Sequence, residues 1–338
     1  MIVMEAHATR EQVRAVVARV QALGLKAQVN RGTERTVVGL AGHETESDLD
    51  VLGLLEGVER VVRVLHDYPL ASRDFHPEDR IIELPQGVRL GGSEVLVMAG
   101  PCAVESRSQL QRAAEAVAAQ GVKVLRGGAF KPRTSPYAFQ GLGGDGLKML
   151  RSVADDLGMA VVTEVLAPED VELVAGQADL LQIGARNMQN YRLLQACSQV
   201  DRPVLLKRGM SATLEEWLQA AEYILAGGNL QVALCERGIR SFEPLVRFSL
   251  DITSVPVLKR MTSLPVVVDP SHAAGRYEYV KAIGLAAVAA GADGLLVEVH
   301  PNPSEALSDG AQSLNPKAFA DLMGGARKVA EAVGREVA

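Results

Sequence analysis

The first 65 residues carry a short, mixed pattern of apolar positions that predicts a small separate unit. Val13, Val16 and Val20 recur at spacings of three and four residues, which places them on one face of a helix. Short β-rich runs lie before and after this helix, and a second helix is predicted over about 48–55 before a last apolar run. The order βαββαβ predicts a ferredoxin-like fold. Such a unit is either a structural appendage or a small-molecule sensor or subunit contact.

From Ser93 onward the pattern becomes regular, with apolar runs of four to seven residues alternating with amphipathic segments. The eight runs cover residues 95–99, 122–125, 160–165, 180–184, 204–207, 231–235, 265–268 and 294–299. Continuous apolar runs indicate parallel strands buried on both faces. Eight strand and helix units predict a (β/α)₈ TIM barrel. The alternative is an open doubly wound sheet, but no G-x-G-x-x-G turn follows the first run.

These patterns predict three segments. The ferredoxin-like domain covers residues 1–66, a polar linker and a hairpin cover 67–92, and the barrel covers 93–338. Pro69 and Pro77 mark the irregular linker.

Charge and cysteine content narrow the function further. The 35 Lys and Arg against 41 Asp and Glu give a net charge of −6, which argues against a nucleic-acid partner or a polybasic membrane contact. Charges interrupt every long apolar run, so we expect no membrane span. Three cysteines fit a reducing compartment, and the start of the chain has no basic segment followed by an apolar core. We therefore expect a cytoplasmic protein.

Ionisable residues follow the apolar runs, where a TIM barrel carries its active-site loops. One set is basic, and its convergence at one rim predicts a site for substrates with several negative charges. The set consists of Arg126, Lys131, Arg133, Arg186, Lys207 and Arg237. Any single member could instead form a surface ion pair.

The second set combines a thiol, an imidazole and two carboxylates, in Cys102, His272, Glu298 and Asp309. This mixture suits a divalent transition metal better than Mg²⁺, which avoids sulfur. The ligands are not closely spaced in sequence, however. A cysteine nucleophile at Cys102 is therefore the competing interpretation.

Several motifs at these positions resemble the 3-deoxy-D-arabino-heptulosonate 7-phosphate (DAHP) synthases. They are AGPC at 99–102, LRGGAFKPRTSP at 125–136, QIGARN at 182–187, LKRG at 206–209, CERG at 235–238, DPSH at 269–272, EVHP at 298–301 and SDG at 308–310. The N-terminal unit resembles the regulatory domain of one branch of this family, whose members respond to aromatic amino acids.

The resemblance implies that the protein condenses phosphoenolpyruvate with erythrose 4-phosphate and releases phosphate, as the first step of the shikimate pathway. It implies that phosphoenolpyruvate is bound by Arg126, Lys131, Ala185, Arg186, Lys207 and Arg237, and the tetrose phosphate by Arg133, Thr134 and Ser135. Cys102, His272, Glu298 and Asp309 match the family's metal ligands. We expect Mn²⁺ there, with Fe²⁺, Co²⁺, Zn²⁺ or Cd²⁺ as alternatives.

The catalytic candidates are Lys131 as a proton donor, and Glu164 and Glu236 as partners of the attacking water. Either glutamate could instead be a structural partner of an arginine. The resemblance further implies a homotetramer inhibited by tyrosine or phenylalanine. Two other functions stay open: synthesis of 3-deoxy-D-manno-octulosonate 8-phosphate, against which the KPRTS segment argues, and metabolite sensing without turnover.

Overall fold

The computed structural model describes residues 1–31, 36–41, 46–62, 67–132, 135 and 137–338. The chain forms two compact units. Unit 1 consists of Met1–Asp79 and Arg260–Ser263, and unit 2 of Arg80–Lys259 and Leu264–Ala338. Among the described residues, every helix is too short or too polar to span a lipid bilayer.

Unit 1 contains the predicted βαββαβ order. Its elements are β1 (Ile2–Met4), α1 (Arg10–Ala22), β2 (Lys26–Arg31), β3 (Thr36–Ala41), α2 (Glu46–Gly53) and β4 (Val58–Val61). The strands form an antiparallel sheet in the order β2-β3-β1-β4. The predicted ferredoxin-like fold is confirmed. The loop predicted between β2 and β3 lies mostly outside the described residues.

Helix α1 shows why this segment folds locally. Thr9 and Gln12 form a capping box, each side chain bonding to the other's backbone N–H. Val13, Val16 and Val20 then face the sheet and pack with Ile2 and other apolar side chains. The helical spacing seen in the sequence is thus the buried face of α1.

Unit 2 begins with a hairpin, β5 (Ile82–Leu84) and β6 (Val88–Leu90), and continues into eight parallel strands. The eight are β7 (Glu94–Gly100), β8 (Val124–Arg126), β9 (Ala160–Val165), β10 (Leu180–Ile183), β11 (Val204–Lys207), β12 (Val232–Glu236), β13 (Val266–Val268) and β14 (Gly294–Glu298). Each pairs with the next, and β14 pairs with β7, which closes the barrel. The predicted TIM barrel is confirmed. A short last strand, β15 (Glu336–Val337), also pairs with β7 and was not predicted.

Helices connect the barrel strands. They are α3 (Arg107–Ala118), α4 (Gly143–Asp156), α5 (Val171–Ala175), α6 (Tyr191–Cys197), α7 (Leu214–Ala226), α8 (Ser254–Met261), α9 (Pro270–Ala274), α10 (Tyr277–Ala289) and α11 (Pro316–Ala332). The amphipathic segments predict helices over 110–120, 147–157, 214–225, 279–290 and 318–333, which correspond to α3, α4, α7, α10 and α11. The sequence pattern misses the four short ones, because five to eight residues leave little room for a helical period.

The barrel interior is packed with apolar side chains. Leu96, Met98 and Leu205 meet there with residues from the other strands. Leu84 and Leu90 of the hairpin join this cluster, so β5 and β6 cover the amino-terminal end of the barrel. The carboxyl ends of the strands are therefore the end available for a site.

Candidate active site and metal centre

An open cavity lies at the carboxyl ends of the strands. Its lining is Arg126, Lys131, Pro132, Glu164, Gln182, Gly184, Ala185, Arg186, Lys207, Arg237, Arg247, His272 and Asp309. Six of these side chains are arginine or lysine and only two are carboxylates. This excess of positive charge is typical of a site that binds anions.

The strand ends supply most of the cations. Arg126 is the last residue of β8 and Lys207 the last of β11, while Arg237 directly follows β12. All three are at least 95% buried. The Arg237 guanidinium lies 4.0 Å from the ring of Phe248, and burial lowers the pKa of Arg237. Arg186, which follows β10, is exposed at the cavity wall.

Four possible metal ligands converge at the same end. One ligand atom from each of Cys102, His272, Glu298 and Asp309 lies within 4.8 Å of the others. Cys102 Sγ is 3.1 Å from Asp309 Oδ2, and His272 Nε2 is 3.4 Å from Glu298 Oε1. The loops after β7 and β14, helix α9 after β13, and β14 itself thus bring these four residues together.

Asp269 orients the histidine. Its Oδ2 accepts hydrogen bonds from His272 Nδ1 at 2.7 Å and from Lys207 Nζ at 2.6 Å. A carboxylate only accepts, so Nδ1 carries the proton and Nε2 presents its lone pair toward Glu298. Burial opposes ionisation of Asp269, but its interactions with His272 and Lys207 outweigh burial and hold the pKa of Asp269 well below its usual range.

The cysteine is held between cations and acids. Burial, and secondarily Glu298, raises the pKa of Cys102 to about 12. Lys131 Nζ lies 2.9 Å from the sulfur and 3.0 Å from the Cys102 carbonyl oxygen. The thiol must lose its proton to bind a metal ion, and the Lys131 ammonium stabilises the resulting thiolate.

This donor set fits a borderline divalent metal. Mn²⁺, Fe²⁺, Zn²⁺ and Co²⁺ all accept a mixed set of one sulfur, one imidazole nitrogen and two carboxylates, whereas Mg²⁺ and Ca²⁺ select oxygen ligands. Asp269 provides the carboxylate behind the histidine that metal-ligating imidazoles commonly have. The geometry favours the ligand interpretation of Cys102 over the nucleophile.

The two predicted glutamates lie in different surroundings. Glu164 lines the cavity, and a side chain at position 184 would displace its carboxylate. Glu236 is fully buried and lies outside the cavity lining. It accepts bonds from Arg208 Nη1 at 2.9 Å and from the Gly238 N–H at 2.6 Å. Its catalytic role stays a prediction.

The predicted tetrose-phosphate residues are described only in part. Arg133 and Thr134 lie outside the described residues, and Ser135 is exposed. Ser135 Oγ accepts a bond from the Tyr137 N–H at 3.3 Å. The role of this segment remains a prediction.

Four residues that the sequence interpretation did not single out contribute to the site. Gln182 and Arg247 line the cavity, Asp269 orients His272, and Gln312 donates to Glu298 Oε2 at 2.7 Å. Gln182 and Asp269 belong to motifs at strand ends, which is a usable signal. Arg247 and Gln312 lie in long loops with no apolar run beside them, so no local pattern indicates them.

Fold and site together define a (β/α)₈ barrel with a cation-rich cavity beside a candidate metal centre. The family model described as DAHP synthetase I family matches residues 79–333. A second, described as DAHP synthase ferredoxin-like domain, matches residues 1–66. The chain belongs to the DAHP synthetase I family, as the sequence motifs had indicated.

Individual relatives agree. A phospho-2-dehydro-3-deoxyheptonate aldolase of Thermotoga maritima is 49% identical over 337 residues, covering 100% of this chain and 99% of the relative. The crystal structure of the Thermotoga maritima DAHP synthase has a TM-score of 0.80 at 49% identity, covering 100% of this chain and 98% of the other. A 2-dehydro-3-deoxyphosphooctonate aldolase of Acidithiobacillus ferrooxidans is 36% identical over 246 residues, covering 67% of this chain and 86% of the relative.

Proposed function

We propose that this protein condenses phosphoenolpyruvate with D-erythrose 4-phosphate and water, giving 3-deoxy-D-arabino-heptulosonate 7-phosphate and inorganic phosphate. The observation that carries the proposal is the convergence of six cations on one cavity beside the Cys102, His272, Glu298 and Asp309 cluster. Two phosphorylated substrates repel each other, and a cavity with this charge offsets that repulsion.

Phosphoenolpyruvate would be held by Arg126, Lys131, Arg186, Lys207 and Arg237, with the Ala185 backbone. Arginine forks match carboxylate and phosphate oxygens, and buried ones such as Arg126 and Arg237 are held in place before the substrate arrives. Arg133, Thr134 and Ser135 would hold the phosphate of the tetrose. Fixing both substrates can supply up to about 7–11 kcal/mol of the barrier.

In the reaction, C3 of the enol forms a bond to the aldehyde carbon, and the aldehyde oxygen gains negative charge and then a proton. Lys131 is the donor we assign, because its ammonium lies at the junction of the cavity and the ligand cluster. Cys102, His272, Glu298 and Asp309 would hold a divalent metal ion, which would supply Lewis-acid stabilisation of developing negative charge.

Water then adds to C2 of the former enol phosphate and loses a proton, and phosphate leaves. Glu164 supports this step better than Glu236, since its carboxylate lines the cavity. Glu236, bonded to Arg208 and to the backbone beside Arg237, would contribute by positioning that loop.

The decisive measurement is release of inorganic phosphate from phosphoenolpyruvate with either erythrose 4-phosphate or arabinose 5-phosphate. We expect turnover with the tetrose, its loss after chelation and its return with Mn²⁺. Turnover with the pentose alone would identify a 3-deoxy-D-manno-octulosonate 8-phosphate synthase. The 2-dehydro-3-deoxyphosphooctonate aldolase relative covers 67% of this chain. Substrate binding without phosphate release would favour the metabolite sensor, and full activity in metal-free protein would refute the Lewis acid.

For the domains we propose residues 1–66 as a regulatory unit, 67–92 as linker and hairpin, and 93–338 as the catalytic barrel. Tyrosine or phenylalanine is the proposed inhibitor, and a cytoplasmic homotetramer the proposed form. The family match of residues 1–66 to a DAHP synthase ferredoxin-like domain supports the first assignment.

Deleting residues 1–65 tests the regulatory role. A truncated form of the Thermotoga maritima enzyme has been solved, matching 80% of this chain at 48% identity with a TM-score of 0.76. We expect the truncated protein to release phosphate and to lose inhibition by tyrosine and phenylalanine, measured against the full chain. A truncated protein that is inactive and insoluble would indicate a structural role instead.

A further inference from the structure

Arg247 connects two of the four candidate metal ligands. It lies in the long loop between β12 and α8, at the cavity wall. Its Nη1 donates to Asp309 Oδ1 at 3.0 Å and to Gln312 Oε1 at 2.8 Å.

The first of these bonds determines how Asp309 presents its carboxylate. With Oδ1 engaged by Arg247, the other oxygen, Oδ2, lies 3.1 Å from Cys102 Sγ and 3.3 Å from Ser308 Oγ. Asp309 also has a φ of 54°, in the left-handed region that residues other than glycine seldom adopt. Both the backbone and the side chain are thus held so that Oδ2 faces the cluster.

The second bond acts on Glu298 through Gln312. The Gln312 amide donates from Nε2 to Glu298 Oε2 at 2.7 Å, while Arg126 donates to Glu298 Oε1 at 2.6 Å. A guanidinium only donates and a carboxylate only accepts, so a single orientation of the amide satisfies both neighbours. Arg247 fixes that orientation, and Gln312 then fixes Glu298.

The loop that carries Arg247 is itself anchored beside the third ligand. The N–H groups of Arg247 and Phe248 donate to the carbonyl oxygens of Ala274 and Ala273, in the helix that contains His272. Gly275 has a φ of 68°, and a side chain there would overlap the Cβ of Arg247. Arg247 therefore occupies a defined position relative to the cluster.

We propose that Arg247 is a positioning residue of the metal centre. It holds Asp309 directly and Glu298 through Gln312, and so it controls how tightly the metal ion binds rather than how tightly phosphoenolpyruvate binds. The inference rests on the proposed metal site and concerns a residue that the motifs do not include.

The test uses the full chain, freed of metal, and titrates it with Mn²⁺ alone, following free Mn²⁺ by electron paramagnetic resonance. Residues that orient metal ligands typically contribute 10–100-fold in affinity. We expect Arg247→Met to raise the Kd for Mn²⁺ by about that factor. Arg247→Lys keeps one donor and should restore part of the affinity. Arg240→Met, at an exposed position of the same loop, is the matched control and should bind like the wild type.

A second variant tests the connection through Gln312. Gln312 is buried, and methionine has a similar size, so Gln312→Met removes the polar contacts with little change in packing. If Arg247 acts on Glu298 through Gln312, the two substitutions should not be additive. The fold-loss of Mn²⁺ affinity in the double variant should then be smaller than the product of the two single fold-losses. Arg247→Lys and Gln312→Met alone carry the test if Arg247→Met does not fold.

An unchanged Kd for Mn²⁺ in Arg247→Met and in Gln312→Met would overturn the proposal. So would loss of phosphoenolpyruvate binding at saturating Mn²⁺ with the Mn²⁺ affinity intact, because Arg247 would then be a substrate contact. A wild-type protein that does not bind Mn²⁺ contradicts the proposed metal site itself, which separates the two failures.

Discussion

Both ends of the barrel bury charged side chains, but those at the amino-terminal end form internal ion pairs and those at the carboxyl end line the cavity. At the amino-terminal end, Asp293 is 1% exposed and accepts from Lys259 Nζ at 3.0 and 3.1 Å and from the Val266 N–H at 2.8 Å. Arg335 lies 3.3 Å from the same carboxylate and donates to several backbone carbonyl oxygens. The charges of Lys259, Asp293 and Arg335 are all directed at other protein groups.

At the carboxyl end, basic side chains outnumber acidic ones along the cavity, and several of them face open space. Lys207 and Asp269 form an ion pair there, and this pair orients His272. A buried charged side chain therefore indicates a binding site only where neighbouring groups do not neutralise it and net charge remains for a ligand. Substitutions at the two ends should therefore separate activity from stability.

Lys131→Met should give the largest effect. Loss of the ammonium beside Cys102 removes the proposed proton donor, and we expect kcat to fall by about 10²–10⁴-fold with a much smaller change in the unfolding midpoint. Lys123→Met is the control, because Lys123 is exposed and precedes β8 whereas Lys131 follows it. Phosphate release at saturating substrate measures kcat, and unchanged turnover would remove Lys131 from the mechanism.

Asp293→Asn should lower stability with little effect on kcat. Neutralising the buried carboxylate leaves Lys259 and Arg335 without their counter-charge, which we expect to lower the free energy of unfolding by about 3 kcal/mol. The value lies at the low end for such pairs because Lys259 is partly exposed and can be rehydrated. Urea unfolding gives the stability, and Asp321→Asn on the exposed face of α11 is the control. A large loss of kcat in folded Asp293→Asn would contradict the claim that the amino-terminal end serves stability and not activity.

Cys102→Ser should weaken metal retention by at least about 10-fold, since a thiolate binds borderline metals better than a hydroxyl does. Competition with a chelator for bound Mn²⁺ measures the effect. The control is Cys197→Ser, a buried cysteine in α6 outside the cavity lining. A covalent substrate adduct on wild-type Cys102, seen by intact mass, would instead support the nucleophile.

Much of this molecule follows from local pattern. The eight strands and five longer helices follow from apolar period, and strand ends locate Arg126, Lys207 and Glu298, because parallel strands point their carboxyl ends the same way. Donor chemistry alone left Cys102 open between metal ligand and nucleophile, and the family motifs favoured the ligand, since residues 102 and 309 are far apart in sequence and no ligand spacing links them.

What local pattern could not supply is contact between loops. Arg247 reaches Asp309 across 62 positions, and Gln312 reaches Glu298 from the far side of a loop. Glu236 shows that a strand-end position does not fix orientation: its position resembles that of Glu298, but its carboxylate accepts from Arg208 and lies outside the cavity lining. Which way a strand-end side chain points depends on its neighbours in space.

Glu236→Gln gives the smallest effect and addresses that ambiguity. Burial raises the pKa of Glu236 above its usual range, although Arg208 opposes the shift. A carboxyl whose folded pKa exceeds its unfolded pKa of about 4.3 stabilises the fold most below that pH, and the contribution is lost as pH rises through the folded pKa. Glutamine does not titrate, so the stability of the wild type relative to Glu236→Gln should decrease as pH rises from about 4. Urea unfolding over this range measures it. A pH-independent difference would contradict the raised pKa of Glu236. A loss of kcat by about 10²-fold or more would return Glu236 to the group that handles the attacking water.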